Sequence, residues 1–245
     1  MRFSLTIRHC AVFALLTFNL ALSASIHAQT LQFARIEGSF NQQVGQRLLE
    51  VIYQRLGVAV RFPVMTAKRS INESYSGHKD GEILRIAGVD KHYPNLVRIP
   101  TPLYSLKSQA FARRDAPFSI TQLADIQPLR TVIVRGIMHA ERLTSQANVS
   151  RLHRFESVTM LMKFVQLGRA DIALSSRLNG LAIIKAQALS DIIPVGPVLQ
   201  DQPLYHYVHH KNRELVPQLD RIIRWMRDSG ELTTLTRKFE AQILQ

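Results

Sequence analysis

The strongest constraint on the fold is an alternation that runs along most of the chain. Short apolar segments of strand length alternate with segments whose apolar residues recur at helical spacing. Leu31–Ile36 has the length and composition of a strand, and Phe40–Leu56 places Val44, Leu48 and Ile52 on one helical face. This order predicts an α/β protein.

The pattern continues and then restarts near residue 114. Further strands are predicted at 58–64, 83–89, 96–99, 131–135, 171–174 and 192–195, and extended crossing segments at 105–113 and 204–209. Further helices are predicted at 68–76, 120–126, 137–146, 158–167, 178–189, 213–228 and 232–244. The restart indicates two successive α/β units.

The first 28 residues have the composition of a secretory signal. Arg2 and Arg8 precede an apolar run over residues 10–22, which is shorter than the roughly 20 residues of a membrane-spanning helix. Ala28 provides a small residue for cleavage, so we expect a signal peptide cleaved after Ala28 and a periplasmic protein. An uncleaved N-terminal anchor is the alternative.

The composition argues against several kinds of functional site. Cys10 is the only cysteine and lies in the predicted signal, so the mature chain is expected to lack disulfides, thiolate catalysis and cysteine metal sites. The net charge is +13, but the cations are spread singly and in pairs. A solvated basic surface is therefore favoured over a nucleic-acid site, which needs clustered cations with interleaved aromatic residues.

Five short segments of the chain, taken in order, carry a family resemblance. They are residues 40–62, the Ser-Gly-His-Lys-Asp-Gly segment at 76–81, Arg135-Gly136, the Leu-Gly-Arg-Ala-Asp-Ile-Ala segment at 167–173, and the helix at 215–232 with its Ser229-Gly230 break. Together they resemble extracellular solute-binding proteins of family 3, the periplasmic receptors that deliver amino acids and similar polar solutes to membrane transporters. Each segment alone is a weak signal, whereas their order over nearly the whole mature chain is informative.

The resemblance implies the type II periplasmic-binding-protein fold, with two lobes joined by two crossing segments. Lobe I would comprise residues 29–110 and 205–245, and lobe II residues 111–204. A small polar solute, amino-acid-like or another small carboxylate, would bind between the lobes and close them. The expected protein is a monomer without cofactor that passes its solute to an ABC-type inner-membrane permease.

Candidate ligand contacts in the first unit are Glu37, Arg69 and Arg85. Glu37 follows the first strand and could anchor a ligand amine, or could be an exposed loop residue. Arg85 interrupts an apolar strand, so its guanidinium needs a partner. That partner is either an acidic ligand or a protein carboxylate such as Glu82 or Glu37.

The crossing and the second unit add further candidates. Tyr104 and Ser105 lie where the family commonly places an aromatic platform and a polar contact, although core packing explains Tyr104 equally well. Arg135-Gly136 joins a strand to a helix and suits a carboxylate or phosphate. Ser175, Ser176 and Asn179 follow a strand and offer uncharged hydrogen bonds, with helix capping as the alternative for Asn179.

Two departures from the family leave the ligand class open. The segment that usually carries a carboxylate-gripping arginine reads Val-Asp-Lys-His-Tyr-Pro at residues 89–94, and the usual ammonium-binding aspartate is replaced by Ser176. Both departures put an amino-acid head group in doubt.

The rival functions are those of a signalling receptor, an enzyme and a metal-binding protein. A periplasmic receptor that reports to a membrane signalling partner would use the same ligand-driven closure. A lyase or dehydratase could occupy the same fold, but no nucleophile–base pair is visible, so no enzyme activity is expected. Metal binding by His206, His209 and His210 is disfavoured because no suitable acidic ligand lies nearby apart from Asp201.

Overall fold

A computed structural model describes residues 30–245, so the predicted signal at residues 1–28 lies outside the described residues. The strands are β1 Leu31–Ile36, β2 Val60–Arg61, β3 Val64–Met65, β4 Gly81–Ile86, β5 Leu96–Arg98, β6 Tyr104–Arg113, β7 Arg130–Val134, β8 Arg151–Phe155, β9 Ile172–Ser176 and β10 Ile192–His209. The α-helices are α1 Phe40–Leu56, α2 Ala67–Tyr75, α3 Val89–His92, α4 Met138–Gln146, α5 Val158–Gln166, α6 Arg177–Ala186, α7 Val216–Asp228 and α8 Glu231–Ile243. Short 3-10 helices cover Leu123–Ile126 and His210–Leu215.

The strands form one sheet with the order β2-β1-β4-β10-β6-β9-β7-β8, and β3 and β5 pair with β1 and β10 at its side. β1 and β4 are parallel to each other, as are β7, β8 and β9. β6 and β10 are antiparallel to their neighbours. The sheet is thus built from two parallel groups with two antiparallel crossing strands between them.

The chain ends and the first strands share one hydrophobic core, here called the first core. It contains Phe33 of β1, Leu48 of α1, Ile83 of β4, and Ile223 and Phe239 of α7 and α8. α1 lies against this core because its apolar residues recur on one face. The helix begins where Ser39 caps it and ends at Gly57, whose left-handed φ of 69° glycine adopts without strain.

The middle of the chain forms a second core on the two sides of β7 and β9. One side packs α4 against the sheet, with Ala140 and Leu143 buried beside Ile133. The other side packs α5 and α6, where Phe111 fills the space above Gly180. A β-carbon at Gly180 would lie 2.1 Å from Phe111 Cζ, so only glycine permits this close approach of α6.

β6 and β10 run from the first core into the second. Their pairing extends from Tyr104 opposite Leu204 to Arg113 opposite Ile192. The register shifts between Val195 and Gln200, which marks a bulge in β10. Nε2 of the buried Gln109 lies 2.8, 3.1 and 3.2 Å from the successive carbonyl oxygens of residues 195, 196 and 197. Its two hydrogens therefore supply donors to backbone oxygens at the bulge.

The alternation predicted most elements, and the first strand and first helix have the predicted bounds. The strand predicted at 58–64 is two short strands, β2 and β3, because Pro63 cannot donate to the ladder. The strand and crossing predicted at 192–195 and 204–209 are the single strand β10, and the helix predicted at 120–126 is one 3-10 turn. β8 and α3 were not predicted. None of the helices in residues 30–245 combines the length and apolar character that crossing a bilayer requires.

Candidate functional site

Several elements meet around Asn41, at the N-terminal end of α1. Asn41 Nδ2 donates to Ser176 Oγ at 2.8 Å and lies 3.4 Å from Asn179 Oδ1. The Tyr104 hydroxyl donates to Glu240 Oε1 at 2.6 Å and lies 3.1 Å from Asn41 Oδ1. Asn41, Tyr104 and Ser176 are buried. The network joins α1, β6, β9, α6 and α8, and it gathers three of the residues predicted from the sequence.

The same contacts hold the first turns of α1 and α6 together. Ser176 Oγ accepts from the Asn179 amide at 3.3 Å and is the N-cap of α6. Asn179 Oδ1 accepts from the Phe40 amide at 3.0 Å, so it supplies an acceptor to α1 and not to its own helix. Free amides at helix starts need such acceptors. The start of α1 is therefore completed in part by α6, and Asn41 of α1 contacts the serine that caps α6.

A cavity of about 140 Å³ lies beside this network. Its walls come from α1, β6, α6 and α8, so it is bounded by elements of both cores. In volume it corresponds to about four or five waters, well below the roughly 300–1,000 Å³ of pockets for drug-sized ligands. The lining residues are Asn41, Tyr104, Ser105, Lys107, Arg177, Leu178, Leu181, Glu240 and Leu244.

Two cations and one carboxylate line this cavity. Lys107 and Arg177 are exposed and form no ion pair within residues 30–245. Arg177 donates to Gln109 Oε1 at 3.0 Å. Burial, and next the charge of Glu240, raises the pKa of Tyr104, so its hydroxyl remains a donor. The cavity therefore offers positive charge, hydrogen-bond donors and one carboxylate to a small polar solute.

The predicted site residues Ser105 and Ser175 have different surroundings. Ser105 lines the cavity, and its hydroxyl donates to Asp201 Oδ1 on the adjacent strand β10. Asp201 lies directly opposite Lys107 in the β6–β10 ladder. Ser175 is buried on β9 opposite Gln109 and does not line the cavity. Of Ser105 and Ser175, Ser105 is therefore the serine that a solute in this cavity would contact.

Glu37 lies exposed in the turn between β1 and α1. Its amide donates to the Met65 carbonyl at 3.0 Å, which ties the turn to β3. Among the residues that the structure describes, its carboxylate has no ion-pair partner. The role of Glu37 as an amine anchor stays a prediction.

The joint at Arg135-Gly136 already has carboxylates from the protein. Arg135 is exposed and pairs with Glu156 at 3.3 Å. Gly136, with φ of 73°, donates its amide to Glu141 Oε1 at 3.3 Å. Arg154 also pairs with Glu141, at 2.8 Å, and holds the pKa of that carboxyl below its usual range. A ligand anion at this joint would therefore compete with Glu141 for the Gly136 amide.

The guanidinium of Arg85 donates hydrogen bonds to three groups of the protein itself. Its Nε donates to the fully buried Glu82 at 2.8 Å, and its Nη2 donates to the Ala67 carbonyl and to Ser70 Oγ, both at 3.3 Å. Ser70 also donates to the Glu82 carboxylate. Of the partners that the sequence left open, Glu82 is the one observed, and binding of an acidic ligand by Arg85 stays a prediction.

Arg69 lies away from the cavity, on the outer face of α2. Its side chain is 69% exposed and pairs with Glu73 at 3.4 Å. An open depression of about 500 Å³ runs along this face, lined by Thr66, Lys68, Arg69, Asn72, Glu73, Ser76 and His78. Because the depression is bounded by α2 and the turn after it alone, we favour the smaller cavity between the two cores as the candidate site.

His139 of α4 contacts the crossing strand next to the site. Its Nδ1 lies 2.9 Å from Oγ of the buried Ser108, which is paired with Ser176 in the β6–β9 ladder. Burial, reinforced by the charge of Arg142, lowers the pKa of His139 to about 4. The imidazole is therefore neutral at pH 7 and links α4 to the strand that carries the site.

Of the three histidines that lie close together in the sequence, His206 has a different environment from the other two. His206 is fully buried in the first core, whereas His209 and His210 lie at the end of β10 with ring centroids 4.3 Å apart. His209 Nδ1 accepts from the Lys211 amide at 3.3 Å. Within residues 30–245, no group of three or more histidine, cysteine or acidic side chains is arranged to hold a metal ion.

Sequence reasoning missed four residues of the site: Asn41, Lys107, Arg177 and Glu240. Asn41 and Glu240 lie in helices that were predicted from their apolar faces. A polar residue in a helix does not indicate which distant residue it contacts in the folded chain. Arg177 directly follows Ser176, and Lys107 lies between predicted strand residues. For Arg177 and Lys107, closeness in the sequence to predicted site residues was the one available signal.

Comparison with known proteins bears on the fold. The chain has a TM-score of 0.70 to a histidine kinase sensor domain with similarity to periplasmic binding proteins, at 19% identity over 86% of this chain and 96% of that one. It has a TM-score of 0.68 to an ancestral arginine-binding protein bound to arginine, at 20% identity over 87% and 99% of the two chains. The amino acid ABC transporter substrate-binding protein AbpA from Streptococcus pneumoniae, bound to L-arginine, gives 0.69, at 15% identity over 89% and 97%.

No protein-family model and no curated protein matches the chain. The structural matches nevertheless cover most of the described residues and nearly all of each matched chain. Residues 30–245 therefore have the mixed α/β fold of the type II periplasmic binding proteins, as the resemblance in the sequence predicted.

Proposed function

We propose that this protein is a periplasmic binding protein that captures a small polar solute between two lobes. Lobe I comprises residues 29–110 and 205–245, and lobe II comprises residues 111–204. The observation that carries the proposal is the cavity of about 140 Å³ whose walls come from both lobes and from the crossing strand β6. Ligands of hinged α/β proteins bind where two such units meet.

The lining of the cavity supports a small solute with at least one carboxylate or similar acceptor. Lys107 and Arg177 supply positive charge, and neither forms an ion pair with a carboxylate in the described part of the chain, residues 30–245. Glu240 and the polar groups of Asn41 and Ser105 supply further hydrogen bonds. The arginine bound in two proteins of similar fold makes amino acids the first compounds to test.

Delivery of the solute to an ABC-type permease is the first candidate role, because transporter substrate-binding proteins share the fold. Sensing is the second, because a histidine kinase sensor domain and the VFT2 domain of Bordetella pertussis BvgS share it too. Both roles use ligand-driven closure. Neighbouring permease and ATPase genes favour transport, and a neighbouring kinase or cyclase gene favours sensing.

A thermal-shift screen tests solute capture directly. The panel contains amino acids, small mono- and dicarboxylates, polyamines and sugars, each at several concentrations. A solute that binds the folded state alone raises Tm in proportion to the logarithm of its concentration. We expect at least one carboxylate-bearing compound to do so, and an Arg177→Gln variant to respond less than a Lys163→Gln control, whose exposed lysine lies on α5 outside the cavity. A panel without any stabilising compound would contradict the proposal.

A further inference from the structure

We infer that Asn41 is a positioning residue that sets the closed arrangement of the two lobes around the proposed solute site. The inference rests on the proposed function, and it assigns to α1 a role in lobe closure. Asn41 is 5% exposed and contacts both the start of α6 in lobe II and the crossing strand β6. Its contacts reach Tyr104, Ser176 and Asn179, and two of these residues belong to the other lobe.

An asparagine suits this position because it carries donors and an acceptor on one planar group. Its NH2 faces the two lobe II oxygens, Ser176 Oγ and Asn179 Oδ1, while its carbonyl oxygen faces the Tyr104 hydroxyl. Each of these two oxygens has a second donor, because Ser176 Oγ also accepts from the Asn179 amide and Asn179 Oδ1 from the Phe40 amide. Removing the Asn41 side chain would therefore take away one of two donors at each oxygen. Hydrogen bonds lost from this contact make the closed arrangement less favourable, so the lobes should separate more often and admit water.

Other contacts keep the lobes associated when Asn41 is changed. Leu178 of α6 is buried in the first core, and Lys185 donates to the Leu244 carbonyl at 2.7 Å. The Phe40 amide also donates to Asn179 Oδ1. Substitution of Asn41 should therefore widen the distribution of lobe separations without unfolding either core.

The test measures the distance between the lobes by pulsed electron spin resonance, without solute. Cys10 is the only cysteine, so a Cys10→Ser chain can carry spin labels at Gln54→Cys and Ser145→Cys, exposed positions on α1 and α4. Asn41→Ala and Ser176→Ala should each broaden and lengthen the distribution, and the double variant should do so no further. Gln46→Ala is the matched control, since Gln46 lies in the same helix and its side chain contacts Glu50 there.

Conservative replacement separates positioning from mere helix stability. Asn41→Asp keeps the shape of the side chain but replaces its NH2 donor with a carboxylate that faces the acceptor Asn179 Oδ1. The Tyr104 hydroxyl proton already goes to Glu240, so the distribution should stay as broad as in Asn41→Ala even though aspartate suits a helix start. With a solute from the screen, Asn41→Ala should raise Kd about tenfold, the effect of losing one hydrogen-bonded contact of about 1.4 kcal/mol. The Gln46→Ala protein should bind as the unchanged protein does.

Two results would overturn the inference. One is an Asn41→Ala distribution that superimposes on the unchanged protein, and the other is full additivity of the Asn41 and Ser176 effects. If a solute binds but Asn41→Ala changes neither distance nor Kd, this inference alone is wrong. If the distances change as expected but no solute binds, the proposed function fails and the link of Asn41 to a solute site fails with it.

Discussion

The Tyr53 hydroxyl lies 2.9 Å from Nε2 of His206, deep in the first core. Nδ1 of the same ring lies 2.7 Å from the Glu82 carbonyl oxygen, which can only accept, so Nδ1 carries the proton and Nε2 accepts from Tyr53. The imidazole is thus neutral and fully hydrogen-bonded. Burial lowers the pKa of His206 to about 4.

This arrangement predicts a loss of stability in mild acid. The unfolded chain takes up a proton on this histidine near pH 6.5, whereas the folded chain does so near pH 4. Its contribution is therefore complete above about pH 6.5 and is lost as the pH falls toward 4. We expect the free energy of unfolding in urea to drop by about 2–3 kcal/mol between pH 7 and pH 4.5 from this group.

The neutral variant His206→Gln should show a shallower pH dependence, and His153→Gln, at an exposed position on the edge strand β8, should keep the original one. His139, whose pKa is also lowered to about 4, and His209, whose pKa burial also lowers, act in the same direction and contribute to the remaining slope. Equal slopes in the unchanged protein and the His206→Gln variant would refute the assignment.

Gly180→Ala should destabilise the second core. The added methyl would lie 2.1 Å from Phe111 Cζ, so α6 or the ring must move. Overpacking of this kind costs about 1–3 kcal/mol, measurable as a lower urea midpoint. Combining Gly180→Ala with Phe111→Leu should recover part of the loss, because leucine leaves room for the methyl. Strictly additive losses would show that the contact is not the cause.

Arg85→Met should lower the free energy of unfolding by about 3–5 kcal/mol, since it leaves the fully buried Glu82 carboxylate without its cation. The double variant Glu82→Gln, Arg85→Met removes both charges and should be the more stable of the two. An Arg85→Met protein as stable as its parent would contradict this account. Binding measured with the double variant separates a ligand role of Arg85 from its role in folding.

Periodicity predicted the α/β class and most of the elements because strands and helices of the two cores are amphipathic or wholly apolar, whereas the type II fold was implied by the family resemblance. It failed at β8, whose sequence Arg-Leu-His-Arg-Phe is too polar to suggest a strand. β8 pairs on one side alone, with β7, and an edge strand can expose charged side chains to water. The four residues of α3 are too few to show a helical period.

Part of the site was predictable because it lies at a boundary between two predicted elements. Ser176 and Asn179 lie at a strand-to-helix joint, and such joints are visible in a sequence. Asn41 and Glu240 reach the same place from helices that are 135 and 64 residues away from Ser176, and the sequence does not record which helix ends meet. Pairing of Arg85 with Glu82 was one of the predicted alternatives, but the sequence does not indicate that Glu82 is fully buried.

Isothermal titration with a cavity-filling variant tests solute capture between the lobes most directly. Leu181 lines the cavity on α6 and is partly buried, so Leu181→Trp would occupy much of its 140 Å³. For the solute that gives the largest thermal shift, we predict at least a tenfold higher Kd in Leu181→Trp, and an unchanged Kd in the control Leu167→Trp, at an exposed position after α5. An unchanged Kd in Leu181→Trp would show that the solute binds elsewhere and would contradict the proposed site.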